Sequence, residues 1–186
     1  MRPPHRGGHE RRHGGGLLRA GATAVALLLG LPGCAGTSFD GRTYRGDGFA
    51  FRIAALPPPW RPIEPGDAPL AFRDDEHDAT VLVSARCGRD GDDVPLGALT
   101  QHLFLQFTER QIVLQEVVPF DRREAMHTRL GARLDGVAKH YDAWVLKKDG
   151  CVYDLVYLAP AASFPPGLPA FLALVKSFAT VPSDAD

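Results

Sequence analysis

Apolar and polar residues alternate along several segments of the chain, and this alternation predicts β-strands. Residues 80–87 are the clearest example, because their odd-numbered positions are apolar and share one face of a strand. The sequence Lys148-Asp149-Gly150 is typical of a tight hairpin turn, so the segments on either side of it are expected to pair antiparallel. The predicted strands are residues 49–53, 70–72, 80–87, 112–118, 128–134, 138–147 and 151–159.

Apolar residues at spacings of three and four predict two amphipathic helices. The first is predicted over residues 94–110 and the second over residues 168–178. Between the first two predicted strands, residues 56–69 contain six prolines and Trp60, which favours an extended loop over a helix. The pattern therefore predicts an α+β fold, in which two amphipathic helices pack on one antiparallel sheet. The inward residues of the helices are expected to be Leu96, Leu99, Leu103 and Phe107, and Leu168, Phe171, Leu172, Val175 and Phe178.

The N-terminal 33 residues differ from the rest of the chain. A basic, glycine-rich segment precedes an uncharged apolar run from Ala20 to Leu31. About a dozen apolar residues are too few to cross a bilayer as a helix, but they suit the hydrophobic region of a signal peptide. We therefore predict that residues 1–33 direct export, most simply by the general secretory route.

The sequence Leu31-Pro32-Gly33-Cys34 resembles a bacterial lipobox, with Leu31 at position −3, Gly33 at −1 and Cys34 at +1. The resemblance implies cleavage after Gly33 and transfer of a diacylglycerol to the sulfur of Cys34. Each buried CH₂ group contributes roughly 0.8 kcal/mol, so two or three acyl chains would hold the protein on a membrane. The alternatives are simple secretion with a coincidental cysteine, or a cytosolic protein. Ala35, rather than an acidic residue, slightly favours the outer membrane over the inner one.

The charge of the chain is unevenly distributed. Of the 21 Lys and Arg and 22 Asp and Glu residues, five arginines and a single acid lie in residues 1–33. The remaining 16 bases and 21 acids make residues 34–186 mildly acidic. An acidic domain repels phosphate backbones, so we expect no nucleic-acid partner.

The order of the predicted elements resembles the PsbP-like α/β/α sandwich family. The residues that carry the resemblance are the Gly-Phe-x-Phe-x-Ile segment at 48–53, Trp60 in the proline-rich loop, and the helix end at 174–178. The family includes short bacterial lipoproteins, and it implies a non-enzymatic accessory role with no shared catalytic residues. We predict a signal peptide, a short tether, one α+β domain and a flexible tail at residues 1–33, 34–43, 44–180 and 181–186.

Cys87 and Cys151 are the only cysteines besides Cys34. Cys87 ends one predicted strand and Cys151 begins another, so both would lie at the same edge if the two strands were antiparallel neighbours. An exported domain folds in an oxidising compartment, which favours a structural disulfide. The alternative is a pair of partly buried free thiols.

Candidate catalytic and metal-binding residues are present, but none forms a known motif. The acidic segments 74–78 and 90–93 lack the ligand spacing of a calcium loop and are predicted to be solvated turns. The histidines have no metal-ligand spacing, and no serine lies in a nucleophile elbow. We therefore predict no catalytic residue, no metal and no cofactor. The histidines are His102, His127 and His140, and the serines are Ser38, Ser84 and Ser177. An anion site is an alternative for the arginines of a mixed-charge strand surface, Arg122, Arg123, Arg129 and Arg133.

Three functions remain open from the sequence. The leading hypothesis is a membrane-anchored, non-catalytic envelope lipoprotein that binds another envelope component, with aromatic residues either in the core or on an exposed binding surface. The alternative is a lipid- or small-ligand-binding module with a cleft between sheet and helix. An envelope hydrolase would need a convergent site, such as Ser84, His140 and Asp142 within hydrogen-bond reach. The aromatic residues concerned are Trp60, Tyr141, Trp144, Tyr153 and Tyr157.

Overall fold

Seven antiparallel strands form the main sheet of the protein, and four short strands form a second sheet. This arrangement comes from a computed structural model, which describes residues 36–64, 66, 68–88 and 94–182. The strands are β1 Ser38–Phe39, β2 Thr43–Arg45, β3 Ala50–Arg52, β4 Arg61–Ile63, β5 Leu70–Asp74, β6 Ala79–Cys87, β7 Thr108–Phe120, β8 Arg123–Leu134, β9 Val137–Lys148, β10 Cys151–Ala159 and β11 Ala179–Val181. Their order is β4-β5-β6-β10-β9-β8-β7 in the main sheet and β1-β2-β3-β11 in the second sheet.

Two helices lie on opposite faces of the main sheet, as the alternation of side chains along β10 shows. Helix α1, Leu96–Leu103, packs on β8 and β9, and helix α2, Phe164–Ser177, packs on β10 and β6. Tyr153, Leu155 and Tyr157 of β10 belong to the core on the α2 side. Residues between them in the sequence, such as Val156, belong to the smaller apolar clusters on the α1 side. The predicted α+β class is confirmed.

The hairpin between β9 and β10 matches the prediction from its turn sequence. Asp149 and Gly150 have φ angles of +52° and +71°, the left-handed conformation that a two-residue turn of type I′ requires. Val145 therefore pairs with Asp154, and Cys151 pairs with Lys148.

The first helix is shorter than predicted from the sequence, because its predicted end at residue 110 lies beyond its observed end at Leu103. Helix α1 ends at Leu103, and Thr108 already begins strand β7. The apolar spacing continues to Phe107, but that ring packs against Tyr141 of β9 from the connecting loop. From residue 108 onward, β-branched residues and pairing with β8 favour a strand over further helical turns.

The second helix begins four residues earlier than predicted. It starts at Phe164, and Pro165 and Pro166 occupy its first turn, where the missing N–H groups would have had no helical acceptor. The short strands β1, β2, β4 and β11 were not predicted as strands. Strand β1 and the start of β2 lie within residues 34–43, which had been predicted to be a tether.

The small sheet packs beside α2 on the same core. The Phe51 ring stacks on Tyr44 and Phe178, with ring centroids 5.3 and 5.6 Å apart. At the end of α2, the Ser177 hydroxyl accepts a hydrogen bond from the Ala54 backbone N–H, at 2.6 Å. This contact ties the helix to the segment that follows β3.

Candidate functional site

An apolar groove runs beside helix α1, between Arg86 of β6 and Leu134 of β8. Its volume is about 630 Å³, which is within the range of small-molecule binding sites. Helix α1 and the loop after it contribute most of its wall, and Leu105 at its margin is 64% exposed. The lining residues are Arg86, Val94, Ala98, Leu99, His102, Leu103, Leu105, Gln106, Phe107 and Leu134.

A buried carboxylate holds Arg86, the one arginine among the described lining residues, in place. The Arg86 guanidinium donates from Nη1 to Oδ2 of Asp154, and the Ser84 hydroxyl donates to the same oxygen at 3.1 Å. The Asp154 side chain is only 1% exposed, and its Oδ1 has no hydrogen-bond partner among the residues that the structure describes. Burial raises the pKa of Asp154, and the attraction of Arg86 opposes this effect without cancelling it.

Strand β7 forms one edge of the main sheet and leaves large apolar side chains in solvent. Val113, Ile112 and Val117 are 72%, 53% and 51% exposed. The other edge strand, β4, has three residues and contains Pro62, a residue that cannot donate a backbone hydrogen bond. The two edges of one sheet therefore differ, because β4 has three residues with a proline at its centre whereas β7 has 13 residues and exposes three large apolar side chains.

A polar cluster surrounds Asp142 on the α2 side of β8 and β9. His127 Nε2 lies 2.9 Å from Asp142 Oδ1, and Trp144 Nε1 donates to the same oxygen at 2.9 Å. The His127 ring stacks on Trp144, with ring centroids 4.2 Å apart, and Arg129 binds the other carboxylate oxygen. Burial by itself would raise the pKa of Asp142, but His127 and Arg129 outweigh it and lower the pKa.

The hydrolase arrangement considered from the sequence is not assembled. Ser84 donates to Asp154, which lies on the α1 side, whereas Asp142 bonds to His127 on the α2 side. The exposed His140 packs its ring against Phe164, with centroids 5.6 Å apart. The three side chains therefore have separate surroundings.

Cys87 and Cys151 are joined by a disulfide between neighbouring strands β6 and β10. They are direct cross-strand partners, and their Cα atoms lie 4.0 Å apart. Beside them, the Gly88 N–H donates to the Gly150 carbonyl, so the two cysteines occupy the narrow, non-hydrogen-bonded position of the ladder. This is the pairing that the positions of the cysteines at the ends of two strands had suggested.

The remaining candidates have structural surroundings. In the turn at 75–78, the Asp74 carboxylate accepts backbone N–H bonds from Glu76 and His77, while Asp75 and Asp78 form ion pairs with arginines. The segment 90–93 lies outside the described residues. The described residues include no group of three or more His, Cys, Asp or Glu side chains placed to hold a metal ion.

Two alternatives from the sequence are not supported by these surroundings. In the proposed anion site, Arg129 pairs with Asp142 and Arg133 pairs with Glu109. The aromatic residues are mostly core residues, because Tyr141, Tyr153, Tyr157 and Trp60 are all buried and only Trp144 is partly exposed. An exposed aromatic binding surface is therefore the wrong interpretation of that set.

The predicted lipidation residue Cys34 and the recognition residues Leu31 and Gly33 lie outside the described residues. Among the helices that the structure describes, none is long and apolar enough to cross a membrane.

Neither the groove beside α1 nor the exposed edge at β7 is apparent from the sequence pattern. Ala98 and Leu105 lie off the predicted apolar stripe of α1, and Leu134 is remote from them in sequence. The apolar run at 112–114 was recognised as a strand, but nothing in it indicates that the strand lies at an edge. The sequence signal that could have indicated the groove is the presence of apolar residues in and after α1, such as Ala98 and Leu105, at positions outside the predicted apolar stripe.

The sequence matches no known protein family and no curated protein. Solved structures, however, share its fold. The structure of LpqN from Mycobacterium tuberculosis, described as involved in cell envelope biogenesis, is 16% identical and has a TM-score of 0.53, covering 74% of this chain and 88% of LpqN. Cyanobacterial PsbP (CyanoP) from Synechocystis is 13% identical in sequence and has a TM-score of 0.50. The match covers 81% of this chain and 99% of CyanoP. A protein from Bacteroides thetaiotaomicron is 12% identical in sequence and has a TM-score of 0.51. The match covers 77% of this chain and 50% of the Bacteroides protein. The predicted PsbP-like fold is confirmed.

Proposed function

We propose that this protein is a non-catalytic accessory module of the bacterial cell envelope and is anchored to a membrane by lipid on Cys34. In this proposal the domain binds an extended segment of a protein partner along β7. The observation that carries the proposal is the contrast between the two edges of the main sheet. Natural proteins prevent unwanted strand pairing at the exposed edges of their sheets. Strand β4 is poorly suited to pairing because it has only three residues and contains Pro62. Strand β7 has 13 residues, and its single proline, Pro119, is next to last, so the residues before it keep their backbone donors.

The second half of β7 offers the regular part of this edge. Register irregularities between β7 and β8 fall between residues 108 and 114, whereas residues 114–120 pair with β8 without interruption. A partner strand added here would gain backbone hydrogen bonds from residues other than Pro119, which has no N–H, and would cover the exposed Val117. The partner chemistry is therefore an extended backbone with apolar side chains at alternate positions.

The envelope part of the proposal has separate support. The lipobox-like sequence ending at Cys34 implies export and lipid attachment. LpqN, which shares the fold, is described as involved in cell envelope biogenesis. Outer-membrane retention and the identity of the partner belong to the same proposal, and the experiment below concerns the partner.

The test is photo-crosslinking in envelope fractions with a benzophenone amino acid at Val117, and at Val137 as the control. Val137 is similarly exposed, at 55% against 51%, but it lies on β9, away from the sheet edge. The proposal predicts an adduct to an envelope protein from position 117 only. The substitution Val117→Lys should abolish co-purification of that protein, and Val137→Lys should not.

Three results would overturn the protein-binding proposal. The first is identical crosslinking from both positions, and the second is partner binding that survives Val117→Lys. The third is an adduct of twice the chain mass, which would identify the occupant of β7 as a second copy. Circular dichroism and melting of both lysine variants establish that neither substitution acts by unfolding the domain.

A further inference from the structure

We propose that the groove beside α1 binds an amphipathic ligand, with one hydrocarbon chain along the groove and an anionic head group at Arg86. This site is separate from β7, so it extends the proposed function and does not depend on it. It lies between a helix and the sheet, as expected for the ligand-binding alternative.

The walls of the groove favour a hydrocarbon chain. Seven of its ten described lining residues are apolar, and its volume of about 630 Å³ is large for a packing defect in a domain of this size. Leu105 at its margin is 64% exposed and belongs to none of the described core clusters. A bound chain would remove this apolar surface from water.

The charges of the groove favour an anionic head group. Its ionisable lining residues are Arg86 and His102, and no Asp or Glu lies among the described lining residues. The Arg86 side chain is 46% exposed, and its guanidinium uses Nη1 for Asp154. Its other nitrogens form no hydrogen bond within the described part of the chain, and in this proposal they donate to a carboxylate or phosphate oxygen.

The ion pair between the half-exposed Arg86 and the buried Asp154 serves as a positioning device in this proposal. Asp154 is fixed by its place in the middle of β10, and it holds one side of the guanidinium fork. Ser84 donates to the same carboxylate oxygen and restrains it further. Because Arg86 is held before binding, less conformational entropy is lost when a ligand oxygen engages the remaining nitrogens.

The first experiment measures binding of 11-(dansylamino)undecanoic acid to the purified full chain by fluorescence. Ala98→Trp should fill the groove and weaken binding by at least about tenfold. The control, Gln101→Trp, places the same indole on the same helix outside the groove and should leave the affinity unchanged. All variants share one N-terminal segment, so differences between them report on the groove.

The second experiment tests the head group. The methyl ester of the probe should bind the wild-type chain about tenfold more weakly than the acid, because it loses a charge-assisted hydrogen bond. The double variant Arg86→Gln/Asp154→Asn removes both charges, so neither remains buried alone, and it should bind acid and ester equally. Displacement by palmitate and by lysophosphatidylglycerol distinguishes a carboxylate from a phosphate head group.

Three results would overturn this inference. They are the absence of probe binding to the wild-type chain, equal binding by the Ala98→Trp and wild-type chains, and equal affinity of the wild-type chain for acid and ester. None of these depends on crosslinking from β7, so failure of the groove proposal is distinguishable from failure of the protein-binding proposal.

Discussion

Arg129 and Asp142 face each other directly across strands β8 and β9, and the guanidinium binds one carboxylate oxygen through Nε at 2.8 Å and through Nη2 at 2.6 Å. The carboxylate is fully buried. A second buried carboxylate, Asp154, lies on the opposite side of the sheet with fewer partners. The two aspartates therefore make opposite contributions to stability.

Asparagine substitutions should separate these two contributions. Asp142→Asn leaves Arg129 and His127 without their counter-charge and should lower the unfolding free energy at pH 7 by about 2 kcal/mol. Asp154→Asn removes a carboxylate whose pKa is raised, so stability at pH 7 should be unchanged or higher. Urea unfolding of both variants checks this prediction. An equal loss of stability in both would contradict it.

The pH dependence of stability follows from the carboxylates with lowered pKa. Asp142 is one, and Asp121 is another, because hydrogen bonds from Lys148 and Thr180 outweigh the effect of burial on its pKa. A carboxylate whose pKa is lower in the folded state than the ordinary Asp value of 3.8 stabilises the protein fully at pH values above 3.8. This stability is lost as the pH falls through the lower, folded-state values. Thermal melts from pH 7 to acid should show a decline that is shallower in Asp142→Asn.

The disulfide should make a large contribution to stability. It joins residues 64 positions apart, and the chain-entropy relation gives about 4 kcal/mol for a loop of that length. The double variant Cys87→Ser/Cys151→Ser should lose this amount in denaturant unfolding. Dithiothreitol should destabilise the wild-type chain to the same extent and leave the variant unaffected. A reductant effect on both proteins would point to another cause.

Gly167 should be intolerant of a side chain because Tyr157 lies against it. A Cβ atom at position 167 would lie 2.5 Å from the Tyr157 hydroxyl oxygen and 3.1 Å from Cζ. This hydroxyl donates to the Phe164 carbonyl at 2.8 Å and is buried, so it cannot move without losing that bond. Gly167→Ala should therefore destabilise the protein by about 2 kcal/mol.

A double-mutant cycle tests this explanation. Tyr157→Phe alone should cost about 1 kcal/mol for the lost hydrogen bond. Combined with Gly167→Ala it should restore part of the stability, because the closest clashing atom is gone. Additive losses in the double variant would show that the hydroxyl is not the cause.

The lipid anchor is tested by Cys34→Ala and whole-protein mass spectrometry of membrane and soluble fractions. The wild-type chain should be membrane-bound, begin at residue 34 and carry added acyl mass, because only the thiol can form the thioether. The variant should lose the acyl mass. An unmodified wild-type protein in the soluble fraction would contradict the lipobox interpretation.

Sequence patterns predicted the centre of the sheet better than its margins. Strand β10 was predicted with its observed bounds. Its start is fixed by the turn at 149–150, and its side chains alternate between the two faces of the sheet along its whole length. The end of α1 was missed, because the apolar spacing continued beyond Leu103 into a segment whose structure depends on pairing with β8. The polar cluster at Asp142 was also missed. Its members are 13 and 15 residues apart in sequence, and only the register of β8 and β9 brings them together.

By itself, the sequence determined the α+β class, the two-sided character of the central strands, the position of the β9–β10 hairpin and the placement of two cysteines at strand ends. These features follow from local periodicity and turn chemistry, which act within a few residues. The tertiary structure decided which strand became the exposed edge, where a groove opened beside α1, and which aspartate gained compensating partners. Each of these depends on strand order and register between segments far apart in the chain, for which local periodicity carries no information.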